Sequence, residues 1–237
     1  MSTTSNKWAL VTGSARRIGR AIALELATHG WNIVVHYHHS ADDAATLAKE
    51  IMALGRQAAL AEIDLAETEH VARLIPSLAK ELGHLSVLVN NASLFEQDAH
   101  DPDGHRHRAV NAEAPRILSE QFYQQIPADE TGAIVNLLDG VPAEKGFQAY
   151  MKSKNVLQSL TLDMAKRFAP IVRVNGVAPG PVVPSARQTP EHFLAQREAT
   201  LLKTCITPDD IARAAYFLLT SPAITGEILH VDGGGQA

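Results

Sequence analysis

One cysteine, Cys205, stands in 237 residues, so no internal disulfide can form and a reducing compartment suits the chain. No apolar run reaches the roughly 18 residues a membrane span needs, and the polar opening stretch 1–7 carries no signal peptide. The expectation is a soluble cytoplasmic protein. A surplus of positive charge is also missing: the formal net charge is −5 and the pI near 6.1, which argues against a nucleic-acid or other polyanion-binding surface. The 11 histidines are scattered. Internal repeats, low-complexity stretches and interdomain linkers are absent as well. What is there is an apolar content of 46%, ample for a buried core and incompatible with disorder.

Short apolar runs alternate with helical patterns. Strand-like runs occupy 8–11, 33–37, 58–63, 85–89, 133–138, 171–177 and 227–231. Apolar on both faces, they fit a parallel sheet covered on both sides. Between them Ile18, Ile22 and Leu26 recur every four residues, and Leu47, Ile51 and Leu54 mark a second helical stripe. Ser40 with Asp43 reads as an N-cap and first-turn acid, while Gly30, Gly55 and Gly83 sit where helices should stop. The alternation predicts one α/β domain over 1–237, a doubly wound Rossmann fold with a seven-stranded parallel sheet. The irregular stretches 93–106 and 178–190 have the length of active-site loops.

The first strand meets its helix through Thr12-Gly13-Ser14-Ala15-Arg16-Arg17-Ile18-Gly19. A tight strand-to-helix turn requires Gly13, and a helix N-terminus beyond it offers free amides and a positive dipole end to a phosphate. Close approach of backbone to that phosphate favours Gly19. The spacing departs from the common G-x-G-x-x-G pattern. The second strand ends in His36-Tyr37-His38-His39-Ser40, without the acid a free ribose 2′-hydroxyl would call for. Arg16, Arg17, His38, His39 and Ser40 instead supply cationic and donor groups for a 2′-phosphate, which favours NADPH as cofactor.

Tyr150 and Lys154 lie at i, i+4 and project from one helical face directly after the fifth strand. A phenol with a reference pKa of ~10 is a poor acid–base group at neutral pH. A nearby ammonium and a nicotinamide cation would stabilise its phenolate and make proton exchange feasible. Asp139 ends the fifth strand eleven residues upstream. Reducing a ketone builds an alkoxide, which a hydroxyl donor stabilises and an ionised carboxylate repels. A pterin offers ring nitrogens and an amino group that can donate to a carboxylate, and a C=N bond that needs a proton on nitrogen. An acid held near neutral pH by burial could give that proton.

Together Thr12-Gly13 with Gly19, Asp64, Asn90-Asn91-Ala92-Ser93, Asn111, Tyr150 with Lys154, Pro179-Gly180, Ile224-Thr225-Gly226 and Asp232-Gly233-Gly234 resemble the short-chain dehydrogenase/reductase family over essentially the whole chain. The resemblance implies a catalytic set of Asp139, Tyr150, Lys154 and Asn111, the last shaping the helix beside the site. It places Asp64 and Leu65 at the adenine, and Pro179, Gly180 and Val182 beside the nicotinamide. Gly13, Arg16, Arg17, Ile18, Gly19, Asn91, Ala92 and Ser93 complete the cofactor's surroundings. Arg17 stands for the family's middle glycine, Ser93 for the last glycine of Asn-Asn-Ala-Gly, and Asp139 for the usual catalytic serine. With Phe95 and His36-Tyr37-His38-x-Ser40, these departures resemble the pteridine and dihydromonapterin reductases. That branch implies substrate contacts from Arg17, Ser93, Phe95, Asp139 and Tyr150, with Phe95 stacked on the pterin. His39 stands where that branch often has Arg. The Asp139–Tyr150 interval is two residues shorter than usual in that branch, and the stretch from Asn91 to Asn111 is several residues short.

The reading is therefore an NADPH-dependent pterin-ring reductase, by hydride transfer with Tyr150 and Asp139 serving proton delivery, with a 3-oxoacyl thioester or ketone reductase and a non-catalytic dinucleotide-binding regulator as alternatives. The family forms symmetric dimers or tetramers, so a homo-oligomer, a homotetramer foremost, is expected. His100, Asp101, Asp103, His105 and His107 match no metal-ligand spacing, and no metal is expected. Cys205 reads as a lid or surface residue. A substrate lid is expected over about 184–206, closed by Phe193, Leu194, Leu201 and Leu202.

Overall fold

Seven short apolar strands cannot bury both faces against one another, so the chain interleaves them with amphipathic helices that cover each side. The computed structural model describes residues 7–140, 145–184 and 189–235. The strands are β1 Trp8–Val11, β2 Asn32–Tyr37, β3 Ala58–Glu62, β4 Leu85–Asn90, β5 Gly132–Leu137, β6 Val172–Pro179 and β7 Ile228–Val231. They form one parallel sheet in the order β3-β2-β1-β4-β5-β6-β7. Each predicted strand is present with its ends within two residues of the expected positions.

The helices among the described residues are α1 Arg17–Thr28, α2 Ala41–Ala53, α3 Thr68–Leu82, α4 His105–Arg108, α5 Ala114–Gln125, α6 Gln148–Phe168, α7 Pro190–Glu198 and α8 Pro208–Thr220. Side chains of β1 alternate between the two faces. Ala9 and Val11 pack with Ile22 and Leu26 of α1, Leu47 and Ile51 of α2, and Ile211 and Ala215 of α8. Trp8 and Leu10 pack on the other side with Leu74 of α3, Leu118 and Phe122 of α5, and Met164 and Phe168 of α6. No helix among the described residues is long and apolar enough to cross a membrane.

Local signals behave as their chemistry requires, with one exception. Gly30, Gly55 and Gly83 have φ of 98°, 76° and 87°, the left-handed region in which helices end. Ser40 does occupy the N-cap of α2, but its side chain makes no capping bond. Asp43 turns away to Arg16, at 2.5 Å. Within the irregular stretch 93–106 the chain makes a 3₁₀ turn at Asp98–His100 and the short α4, followed by a π-helical turn at Ala109–Glu113. Between β1 and β4 the strand order reverses, and the crevice at the carboxyl ends of these strands is where ligands seat in such sheets.

Candidate active site

The carboxyl ends of β1, β4, β5 and β6 open into a cavity of about 750 Å³. Its floor is the turn after β1. There Gly13 has φ +61°, and its N–H donates to Nδ1 of His36 at 2.9 Å. Nε2 of His36 meets the Ile63 carbonyl at 3.1 Å, so one imidazole ties the glycine turn to β2 and β3. Burial holds the His36 pKa down at about 4, which keeps the ring neutral and its Nδ1 an acceptor. The Asn91 side chain donates to the carbonyls of Thr12 and Gly13, at 2.8 and 3.1 Å. A methyl on Gly19 would lie 2.5 Å from the Gly13 carbonyl oxygen and closer still to Asn91 Nδ2. Gly19 is thus required by the protein's own packing, where phosphate approach had been the expected reason.

Arg17 holds φ at +55°, a conformation costing a non-glycine residue about 1–2 kcal/mol. Its guanidinium donates to the carbonyls of Val183 and Pro184, at 2.9 and 3.0 Å. The Arg17 side chain therefore bridges the turn after β1 to the segment after β6. Arg16, the N-cap of α1, and His38, just past β2, line the cavity, whereas His39 and Ser40 do not. His39 stacks behind His38 with ring centroids 3.4 Å apart, and His38 Nε2 lies 3.8 Å from the Asp64 carboxylate. Ile18, Asp64, Leu65, Asn91, Ala92, Ser93, Pro179, Gly180 and Val182 all line the same cavity.

At the reactive end α6 presents Tyr150 and Lys154, both buried. The Tyr150 hydroxyl donates to Asp139 Oδ2 at 2.5 Å and also bonds the Ser93 hydroxyl. Burial first, then the Asp139 charge, holds the Tyr150 pKa well above 10. The protein group that acts against this rise is the Ser93 hydroxyl. Lys154 Nζ donates to the Leu137 carbonyl at 2.8 Å and stands 5.8 Å from the Tyr150 ring centroid. Burial lowers its own pKa to about 8. The resting site is a protonated phenol aimed at a partly buried carboxylate, an arrangement that delivers a proton and keeps the donor oriented.

Phe95 lies at the cavity mouth, 44% exposed, stacked on Phe147 at 4.6 Å and edge-on to Tyr150 at 4.7 Å. Asn111 does not reach the cavity. Its Oδ1 accepts the Leu94 N–H at 2.7 Å, and its Nδ2 donates to the Leu94 carbonyl and to Ser153 Oγ, at 2.8 and 3.0 Å. In the lid region Phe193 faces the cavity, but Leu194, Leu201 and Leu202 are 51%, 69% and 71% exposed. The Leu202 N–H donates to the Gly233 carbonyl at 3.0 Å; residues 185–188 lie outside the described residues. Of the acid–histidine run 100–107, Asp101 and His107 bond each other at 2.7 Å in the interior. Cys205 is exposed.

Three participants escape a reading of the sequence. His36 was visible as a polar residue in a strand apolar on both faces, which marks it as buried and bonded. Phe147 precedes Tyr150 by three residues, one helical turn, a spacing that brings it onto the same face. Asp98 gave no signal.

A family model described as enoyl-(acyl carrier protein) reductase matches residues 13–236. A 3-oxoacyl-(acyl-carrier-protein) reductase of Staphylococcus epidermidis is 32% identical over 97% of this chain and 98% of its own length. Among solved structures, an alternative dihydrofolate reductase from Brucella canis complexed with NADP is 35% identical, with a TM-score of 0.90 over 98% of this chain and 94% of that one. A short chain dehydrogenase from Burkholderia cenocepacia in complex with NADP is 31% identical, with a TM-score of 0.89 over 98% of each chain.

Proposed function

We propose, since this chain belongs to the short-chain dehydrogenase/reductase family of oxidoreductases, that it reduces a pterin ring with NADPH. The observation that carries the reading is the 2.5 Å bond from Tyr150 to Asp139 beside the aromatic face of Phe95. NADPH supplies the hydride when bound. The residues fit it: the turn presents the N-terminus of α1, Arg16 and His38 line the cavity near the end of β2, and no carboxylate stands between His36 and Ser40. Arg16 is engaged by Asp43, but the pair is exposed and such pairs contribute only about 0–1 kcal/mol, so the guanidinium is available to a 2′-phosphate. His39 backs His38 through their ring contact. Two neighbours solved with NADP support the same choice of cofactor.

Tyr150 passes its proton to a ring nitrogen. The Asp139 carboxylate orients that hydroxyl and accepts from the pterin's own N–H groups, and Phe95 covers the ring. Lys154, held on Leu137 and lining the cavity, is the cation that would hold the cofactor's ribose. The enzyme acts on a small molecule and is proposed to assemble as a symmetric dimer or tetramer, which sedimentation would measure.

The relatives that reduce 3-oxoacyl thioesters favour a second reading, carbonyl reduction. Against it, an alkoxide forming beside Tyr150 would face the Asp139 carboxylate. NADPH consumption with dihydrobiopterin, dihydromonapterin, dihydrofolate and an acetoacetyl thioester separates the two. Turnover of a pterin well above the thioester is expected; turnover of the thioester alone would reverse the assignment.

A further inference from the structure

Phe95 is exposed on a segment with little regular structure, yet its ring is held against both Phe147 and Tyr150. The segment is pinned at three points. Asn111 takes both the N–H and the carbonyl of Leu94. Nε2 of the buried His107 accepts the Glu96 N–H at 3.3 Å, with Nδ1 on Asp101. The third pin is Asp98. Its Oδ1 accepts the Ala149 N–H at 2.9 Å, its Oδ2 accepts the Gln148 N–H at 3.1 Å, and its own N–H donates to the Gly146 carbonyl at 2.8 Å.

Gln148 and Ala149 open α6, whose N-cap, Phe147, contributes no side-chain bond. A carboxylate fifty positions away in the chain therefore satisfies amides that a local Ser, Thr or Asp would ordinarily take. The consequence is geometric. Phe95 lies three residues before Asp98, Phe147 precedes Gln148, and Tyr150 follows Ala149. Asp98 closes a ring of contacts that places the aromatic wall and the proton donor on one helical turn, so the two cannot drift apart independently.

We infer that Asp98 is a positioning residue for substrate: by capping α6 from the facing loop it fixes Phe95, on its Phe147 support, at a set distance from the Tyr150 hydroxyl. The kinetic part of this inference rests on the planar-ring reading above; the structural part does not. A plain helix cap would affect stability alone, whereas this device acts on the affinity for a flat ring and leaves the cofactor end untouched.

The test uses the full-length enzyme labelled with 4-fluorophenylalanine at its six phenylalanines, the Phe95 resonance being assigned with Phe95→Leu. In Asp98→Ala the Phe95 signal should lose its ring-current shift. KM for dihydrobiopterin should rise about tenfold, the size expected for losing a cap-strength interaction of about 1.4 kcal/mol, while kcat and the NADPH Kd change less than about twofold. Asp98→Asn, which keeps one acceptor for an amide, should fall between the two. Phe147→Leu should shift the same resonance with Asp98 intact. An unmoved Phe95 signal in both Asp98 variants, or a moved signal with unchanged KM, would overturn the inference. If the unaltered enzyme turns over no pterin while the Phe95 signal still moves, the positioning stands and the substrate reading fails. Should Asp98→Ala not fold, Asp98→Asn and Phe147→Leu decide the same question.

Discussion

The cofactor end of the cavity and its substrate end are built by different means. The cofactor end is backbone: a left-handed Gly13, a Gly19 with no room for a methyl, and a neutral imidazole bonded to the Gly13 amide. The substrate end is side chains gathered from distant segments, Phe95, Phe147 and Tyr150, held by acids and amides that lie outside their own helix. A backbone cradle leaves little freedom and accepts a constant ligand. An aromatic wall hung on a short loop can be retuned by one substitution, which suits the part of the site that chooses the substrate.

That division predicts effects of different kinds. The largest should come at the seam between the ends. Tyr150→Phe removes the donor but no cofactor contact that depends on it, so turnover should fall about 10²–10⁴-fold while NADPH affinity stays near its original value. Retention of half the rate would move proton delivery elsewhere.

The cofactor end should instead respond through stability. His36 has a pKa of about 4 when folded and an ordinary one near 6.5 when unfolded. Below pH 6.5 the unfolded chain gains a proton that the folded ring refuses, so His36 destabilises the fold progressively as pH falls toward 4. Between pH 7 and 5 the protein should lose about 2 kcal/mol more than His36→Gln does, read by urea unfolding at both pH values. Equal losses would show that the ring is not held neutral. Gly19→Ala should cost about 1–3 kcal/mol through overpacking against Asn91 and Gly13, and weaken NADPH binding in step. An unchanged melting temperature would contradict the crowding. Smallest should be the joint replacement Arg16→Gln with His38→Gln, which narrows the NADPH-over-NADH preference by up to about tenfold because exposed ionic contacts are weak. Equal Kd values for both cofactors in the unaltered protein would remove the basis for this selectivity.

The same division explains what the sequence made legible. Strand spacing, the glycine turn, and Tyr150 with Lys154 are local patterns, and local patterns survive translation into a fold. Asp64, Asn91 and Pro179 come to the cavity because they lie at or just past the carboxyl ends of strands of one parallel sheet. Asp98 could not be foreseen, since its partners are fifty residues away. The raised Tyr150 pKa was hidden for a related reason. Tyr150 and Lys154 do share a helical face, but the lysine's ammonium donates to the Leu137 carbonyl, and burial with the Asp139 charge raises the Tyr150 pKa. Leu194, Leu201 and Leu202 carried the right chemistry for a lid, but they are exposed, and a side chain's direction on an irregular segment is not encoded by periodicity.

The central claim is that a carboxylate paired with Tyr150 selects ring C=N over ketone C=O. Asp139→Ser tests it most directly, through kcat/KM for dihydrobiopterin and for an acetoacetyl thioester. Losing about 2 kcal/mol of transition-state stabilisation should lower pterin turnover about thirtyfold. Turnover of the thioester should hold or rise, since a hydroxyl replaces the charge facing the alkoxide. A serine variant that reduces the pterin as well as the unaltered enzyme does would contradict the account.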